Sequence, residues 1–95
     1  MSAYVIARIE VTNSEDYQIY ASQTVAMAEK AGGKFLVKGG NQTQLEGNSP
    51  ERHVIVKFDN HQAAIDWYNS EEYGKILPIA LSSSVRDIVV VDGME

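Results

Sequence analysis

From Ala3 to Val11 apolar and polar side chains alternate. Ala3, Val5, Ala7, Ile9 and Val11 form one set, and Tyr4, Ile6, Arg8 and Glu10 form a mixed one. A period of two places these sets on opposite faces of a strand. The period then lengthens. Tyr17, Tyr20, Ala21, Thr24, Ala28 and Ala31 recur at helical spacing and predict one face of a helix. Asn13 or Ser14 supplies its cap, and Glu15 and Asp16 suit the positive end of the helix dipole. Gly32-Gly33 ends it, because glycine takes the left-handed cap conformation at little steric cost. Lys34 to Lys38 reads as a second strand. Gly39 to Pro50 is polar and rich in Gly and Asn, which predicts a loop or a loosely paired connection. Arg52 to Phe58 is a third strand, with Val54, Val56 and Phe58 on one face and His53, Ile55 and Lys57 on the other. Asp59 or Asn60 caps a second helix, whose buried side holds Ala64, Trp67 and Tyr68. Ser70-Glu71-Glu72 opens another helical segment, which Pro78 is expected to kink or end. Asp87 to Val91 is the last strand, closed by Asp92-Gly93.

The order is βαββαβ with an extra helical segment before the last strand. It predicts an α+β, ferredoxin-like antiparallel sheet with helices on one face, in a single domain over residues 1–95. The helices are expected to cover the face bearing Val5, Ile9, Val54, Val56 and Phe58. The other face combines Ile6, Leu36, Ile55 and Ile88 or Val90 with Tyr4, Arg8, Lys38, His53 and Lys57. A face half apolar and half charged fits a partner sheet with a polar margin, so a homodimer through this face is expected.

The residues also resemble a known family. Tyr17 and Tyr20, Gly32-Gly33 before Phe35-Leu36-Val37, Lys38-Gly39-Gly40, Leu45-Glu46-Gly47, Val54 to Phe58, Ala63-Ala64, Trp67-Tyr68, Ser70, Glu72-Tyr73 and the Val-rich strand ending in Gly93 look like the domain of unknown function 1330 family. The resemblance runs over nearly the whole chain and rests on the order and spacing of these pieces. It implies the dimeric α+β barrel superfamily, in which two ferredoxin-like subunits pack sheet against sheet. Superfamily relatives include small monooxygenases, muconolactone isomerase-like proteins and stress-responsive proteins. The family has no established activity, so the resemblance implies a fold and an assembly but no reaction. Two positions depart from it: Lys38 and Ala80 stand where the family usually or often carries Arg. A guanidinium grips a carboxylate bidentately and Lys does not, so any anion grip of the family is weakened here.

Composition narrows the classes. The chain has 95 residues, a net charge of −5 and only 8 Lys and Arg against 13 Asp and Glu. Nucleic acid and anionic membrane are disfavoured as partners, since both are held chiefly by Lys and Arg. There is no cysteine, which excludes disulfides, thiolate metal sites and Cys nucleophiles. Arg8 and Glu10 break the first apolar run too early for a signal peptide, and the expected compartment is the cytoplasm. Asn41-Gln42-Thr43 matches the glycosylation pattern by chance on that reading.

Candidate chemistry is sparse. Glu46 is the candidate general base, or a partner for Lys38; the plainer reading is a solvated loop acid. His53 is the other catalytic candidate, and a polar margin on the dimer face is its plainer role. His61 in a first helical turn reads as exposed. No spacing of His, Asp and Glu makes a metal cluster, and no helical His suits a haem, so no metal or cofactor is expected. The third strand lacks the stacking aromatics of an RNA-binding sheet. Tyr17, Tyr20, Trp67, Tyr68 and Tyr73 form an aromatic set, with Trp67 assigned to the core and Tyr17 to a pocket wall. The expected ligand site lies near the end of the second strand, with Lys38 and Glu46 bracketing Gly39-Gly40 and with Tyr17 and Tyr20 adding hydroxyls. The function this supports is a homodimer binding a small organic molecule, as a cofactor-free enzyme of monooxygenase or isomerase type. The rival is a non-catalytic dimeric module with a structural or stress-related role.

Overall fold

The computed structural model describes all residues, Met1–Glu95. The elements are β1 Ala3–Val11, α1 Ser14–Lys30, β2 Lys34–Lys38, β3 Arg52–Phe58, α2 His61–Tyr68, α3 Glu71–Ser83 and β4 Ser84–Asp92. The four strands form one sheet in the order β2-β3-β1-β4, and every neighbouring pair is antiparallel. This is the ferredoxin-like arrangement, with the helices on one face of the sheet.

Each helix starts where its cap residue dictates. The side chains of Asn13, Asn60 and Ser70 accept from the backbone N–H of Asp16, Ala63 and Tyr73, satisfying donors that the first turn leaves free. The sheet buries Val5, Ala7, Ile9, Val56 and Phe58 against Tyr17, Tyr20, Ala28, Ala64, Trp67, Tyr73, Ile76 and Ala80. Removing an aromatic or branched side chain of this kind from water contributes about 1.5–3 kcal/mol each. The helix-covered face is the one the alternation of β1 and β3 predicts. Ala31 is the exception on α1, an exposed C-cap rather than part of the buried face.

Three expectations fail. Val90 pairs with Val5 and Ile88 with Ala7, so both face the helices and not the outer surface. The outer residues of β4 are Val85, Asp87, Val89 and Val91. Ile88 to Val91 is an unbroken apolar run, and a run without alternation does not declare its faces. Lys38 likewise lies opposite Val54, on the helix side. The register of β2 against β3 shifts between Phe35 and Val37. One extra residue in a strand turns everything after it to the other face. Finally, Pro78 does not end α3, which runs on to Ser83. Buried Tyr73, Ile76, Ala80 and Ser83 hold the helix together on both sides of the proline, so packing overrides the lost hydrogen bond.

The end of α3 passes into β4 with no intervening loop. Ser83 Oγ donates to the Ile79 carbonyl at 2.6 Å and Ser84 Oγ to that of Ala80 at 2.5 Å. The Ser83 carbonyl accepts from the N–H groups of both Thr12 and Asn13, at 2.9 and 3.1 Å. The outer sheet face is uncovered: Val85, Val89, Val91 and Leu36 are 64, 51, 46 and 48% exposed. No helix is long and apolar enough to cross a membrane.

Candidate functional site

A narrow cavity of about 40 Å³ lies between the helices and the inner sheet face. Twelve of its sixteen lining residues are apolar. α1 contributes Tyr17 and Tyr20, α2 contributes Trp67, and α3 contributes Tyr73. Their rings pack edge and tilt against one another: Tyr17–Tyr20 at 5.3 Å between centroids, Tyr20–Tyr73 at 6.1 Å and Trp67–Tyr73 at 4.5 Å. These are the separations at which aromatic pairs attract.

Into this apolar wall the sheet inserts charge. Lys38, Arg52 and Arg86 all line the cavity, and no Asp or Glu does. Arg86 and Arg52 both pair with Ile9, one from each side, so they share a single cross-strand row. Strands about 4.8 Å apart put their backbones roughly 10 Å from each other. Arg86 Nη1 donates to the Tyr20 hydroxyl at 3.0 Å and Nη2 to the Tyr73 hydroxyl at 3.3 Å. The two hydroxyls are themselves 2.6 Å apart. The Arg86 guanidinium lies 5.2 Å from the Tyr20 ring centroid, and that of Arg52 lies 5.9 Å from Tyr17. Neither arginine has a carboxylate within ion-pair distance; the ion pairs join Lys30 to Glu72, Lys57 to Glu95 and His61 to Asp92.

Burial pushes the Tyr20 phenol well above its ordinary value, Tyr73 adds to this, and the Arg86 charge opposes it only in part. Burial works against the charge on Arg86; Coulombic attraction to Tyr20 and Tyr73, which acts only once those phenols ionise at high pH, turns the net direction upward. At neutral pH the site therefore holds a neutral phenol and a fixed cation.

Outside the narrow cavity is a wider mouth of about 370 Å³, lined by Ser14, Gln18, Gly39 and Glu51 among others. It shares Tyr17, Ala21 and Arg52 with the inner cavity, so these residues stand at the constriction. Gly39 adopts φ +70°, and a Cβ there would come within 2.8 Å of Arg52 Nη1. Glycine at this position thus admits the arginine as well as the turn.

The structure brings Tyr17, Tyr20 and Lys38 together. It does not bring Glu46, which is exposed on the Gly39–Pro50 connection and lines no cavity; its backbone carbonyl accepts from the Gln44 side chain. His53 lies opposite Arg8, on the outer face, with Nδ1 2.8 Å from Gln42 Oε1. His61 pairs with Asp92 at the surface. No group of three or more His, Asp and Glu residues is placed to hold a metal ion. Arg52, Arg86, Tyr73 and Trp67 complete the cleft. Arg52 was readable: it shares the parity of Val54, Val56 and Phe58. Arg86 was not, because the predicted strand began at Asp87, three residues after the true start at Ser84.

The family model described as a domain of unknown function (DUF1330) matches residues 2–94. No curated protein matches the chain by sequence. Solved structures do resemble it. A protein of unknown function from Rhodopseudomonas palustris superposes with a TM-score of 0.79 at 13% identity, covering 99% of this chain and 83% of that one. SnoaB, a cofactor-independent oxygenase from Streptomyces nogalater, superposes at 0.73 with 13% identity, covering 99% and 94%. An antibiotic biosynthesis monooxygenase superposes at 0.59 with 12% identity, covering both chains entirely. At such identities the likeness carries the fold alone.

Proposed function

The chain belongs to the DUF1330 family and has a ferredoxin-like α+β fold, and from that premise we propose that it is a homodimer of the dimeric α+β barrel type, binding a small organic molecule in the cleft between helices and sheet. One observation carries the reading. The apolar cleft ends on a guanidinium held by two phenols and by no carboxylate. A core built only for stability gains little from such a charge, because withdrawing it from water costs several kcal/mol, on the order of a whole hydrogen-bond network. Binding sites are where such groups occur.

Cofactor-free chemistry of monooxygenase or isomerase type is the enzymatic form of this proposal; a cofactor-independent oxygenase and an antibiotic biosynthesis monooxygenase are among the structural neighbours. Arg86, with Tyr20 and Tyr73 behind it, is suited to stabilise negative charge developing on a bound oxygen. The inner cavity contains no carboxylate or imidazole to remove a proton. The residues thus favour binding and electrostatic stabilisation over general-base work by Glu46 or His53.

The dimer part rests on the exposed Val85, Val89, Val91 and Leu36 of the outer face, with Ile6 and Ile55 beside them. Cytoplasmic residence is part of the same proposal. A non-catalytic dimeric module remains the second reading, and the narrowness of the cavity favours it: about 40 Å³, against roughly 300–1,000 Å³ for ordinary small-molecule sites. A thermal-shift screen of small apolar acids, alcohols and amides separates the two. Stabilisation by one class, lost on Tyr17→Ala, supports the binding reading. A flat response across all classes, with a cleft that stays closed in a crystal soaked with them, supports the structural module.

A further inference from the structure

Three buried side-chain atoms find no hydrogen-bond partner within the protein: Arg52 Nε, Arg86 Nε and Trp67 Nε1. All three are donors, and all three belong to residues lining the one inner cavity. Buried donors without partners are rare in native proteins. Their clustering gives the cleft a specific unmet need, which is for acceptor oxygens. The charges agree: three of the chain's 8 basic residues line the cavity and none of its 13 acids does.

We propose that the cleft selects a small monocarboxylate with a slender apolar body, its carboxylate seated on Arg86 and its body along the aromatic wall. This rests on the reading of the cleft as a small-molecule site and adds the chemical class. Arg86 is the seat because it lies among the rings of the inner cavity, while Arg52 also borders the open mouth. Two of its nitrogens are engaged with phenols, and the remaining N–H bonds, Nε–H among them, are free to grip. A guanidinium edge matches the two oxygens of a carboxylate, and charge-assisted bonds of this kind strengthen in an apolar, water-poor site. The tetrahedral, more highly charged phosphate fits a narrow apolar slot poorly. Lys38 and Arg52 add favourable potential inside the cavity, while in the mouth Arg52 stands beside Glu51.

The test is a titration of the ¹⁵N-labelled protein followed by NMR at the Arg Nε–H and Trp67 indole signals. The probes are butyrate, its neutral isostere butyramide, and inorganic phosphate at matched ionic strength. Butyrate is expected to move the Arg86 and Trp67 signals and to bind at least about tenfold more tightly than butyramide. Arg86→Met should erase that preference. Arg86→Lys, which keeps the charge without the fork, should weaken butyrate binding but still favour it over the amide. Equal binding of butyrate and butyramide would leave a cleft for small organic molecules and overturn the carboxylate assignment. Phosphate binding as tightly as butyrate would overturn it too, by revealing a general anion hole. Cleft signals that move with none of the probes would remove the binding reading itself, and this inference with it.

Discussion

Arg86→Met separates a residue kept for stability from one kept for binding. Arg86 makes two hydrogen bonds, at 3.0 and 3.3 Å, to buried or partly buried hydroxyls. Bonds to a charged group contribute about 1.5–3 kcal/mol each, and the longer one falls at or below the bottom of that range, so the pair contributes roughly 2–4 kcal/mol. Against this stands the withdrawal of a guanidinium from water, which costs on the order of 3–5 kcal/mol when no carboxylate offsets it. Methionine keeps an unbranched stem, adapts to irregular gaps, and retains sulfur–aromatic contact with Tyr20. The Tyr20–Tyr73 hydroxyl pair at 2.6 Å survives the change. The expected result is a gain of about 1 kcal/mol, or a rise in Tm of roughly 4–8 °C for a domain of this size. Urea denaturation followed by circular dichroism measures it, in a buffer free of carboxylates so that no ligand stabilises the wild type. A loss of more than about 2 kcal/mol would refute the reasoning, because the guanidinium would then be a net structural contributor.

Tyr73→Phe keeps a fully buried ring and deletes a hydroxyl bonded both to Tyr20 and to Arg86, so it should cost about 1.5–3 kcal/mol in the same assay. Tyr20 is held protonated by burial, so its contribution is fully present below about pH 10 and is lost as pH rises above that toward its elevated folded value; urea titrations should show this term level from pH 8 to about 10 and falling from about 10 to 11 for the wild type, and falling less for Tyr20→Phe. Ile55→Asp places a charge in the outer sheet patch opposite Ile6; sedimentation equilibrium should show the dimer weakened by at least about 2 kcal/mol, and a wild type that is wholly monomeric at micromolar concentration would remove the basis for this expectation. Glu46→Ala, on an exposed loop, should change stability by less than about 0.5 kcal/mol and leave ligand affinity untouched.

The fold was legible wherever the chain states its period or its caps. β1 and β3 alternate cleanly, and Asn13, Asn60 and Ser70 announce the helices that follow them. Legibility failed where the local pattern is degenerate. Ile88 to Val91 reads the same on either face, so only pairing with Val5 and Ala7 decides. The β2 irregularity leaves no mark in Lys34-Phe35-Leu36-Val37-Lys38, yet it determines that Lys38 faces inward. The candidate site was half visible for a related reason. Tyr17, Tyr20 and Lys38 lie near one another along predictable elements, whereas Arg86 reaches them only through strand order, from 66 residues away from Tyr20. Glu46 attracted attention by its place in a glycine-rich stretch, and sequence proximity to Lys38 did not become proximity in space.

The direct passage from α3 into β4 makes the two elements one mechanical part. Tyr73 near the start of the helix and Arg86 near the start of the strand ride on it together, and the paired N–H groups of Thr12 and Asn13 clamp its bend to the end of β1. Any opening of the cleft that leaves this joined part intact would keep the cation and its Tyr73 phenol together. Widening would have to come from the opposite wall, where Tyr17 and Arg52 border the thirteen-residue connection between β2 and β3 and Gly39 leaves Arg52 without a Cβ beneath it. On the binding reading, a molecule entering from that side would pass the long β2–β3 connection before reaching the anchor carried by the joined α3 and β4. Stiffening the Gly39–Pro50 segment should accordingly slow entry and exit alike, while leaving the equilibrium grip of the anchor as it was.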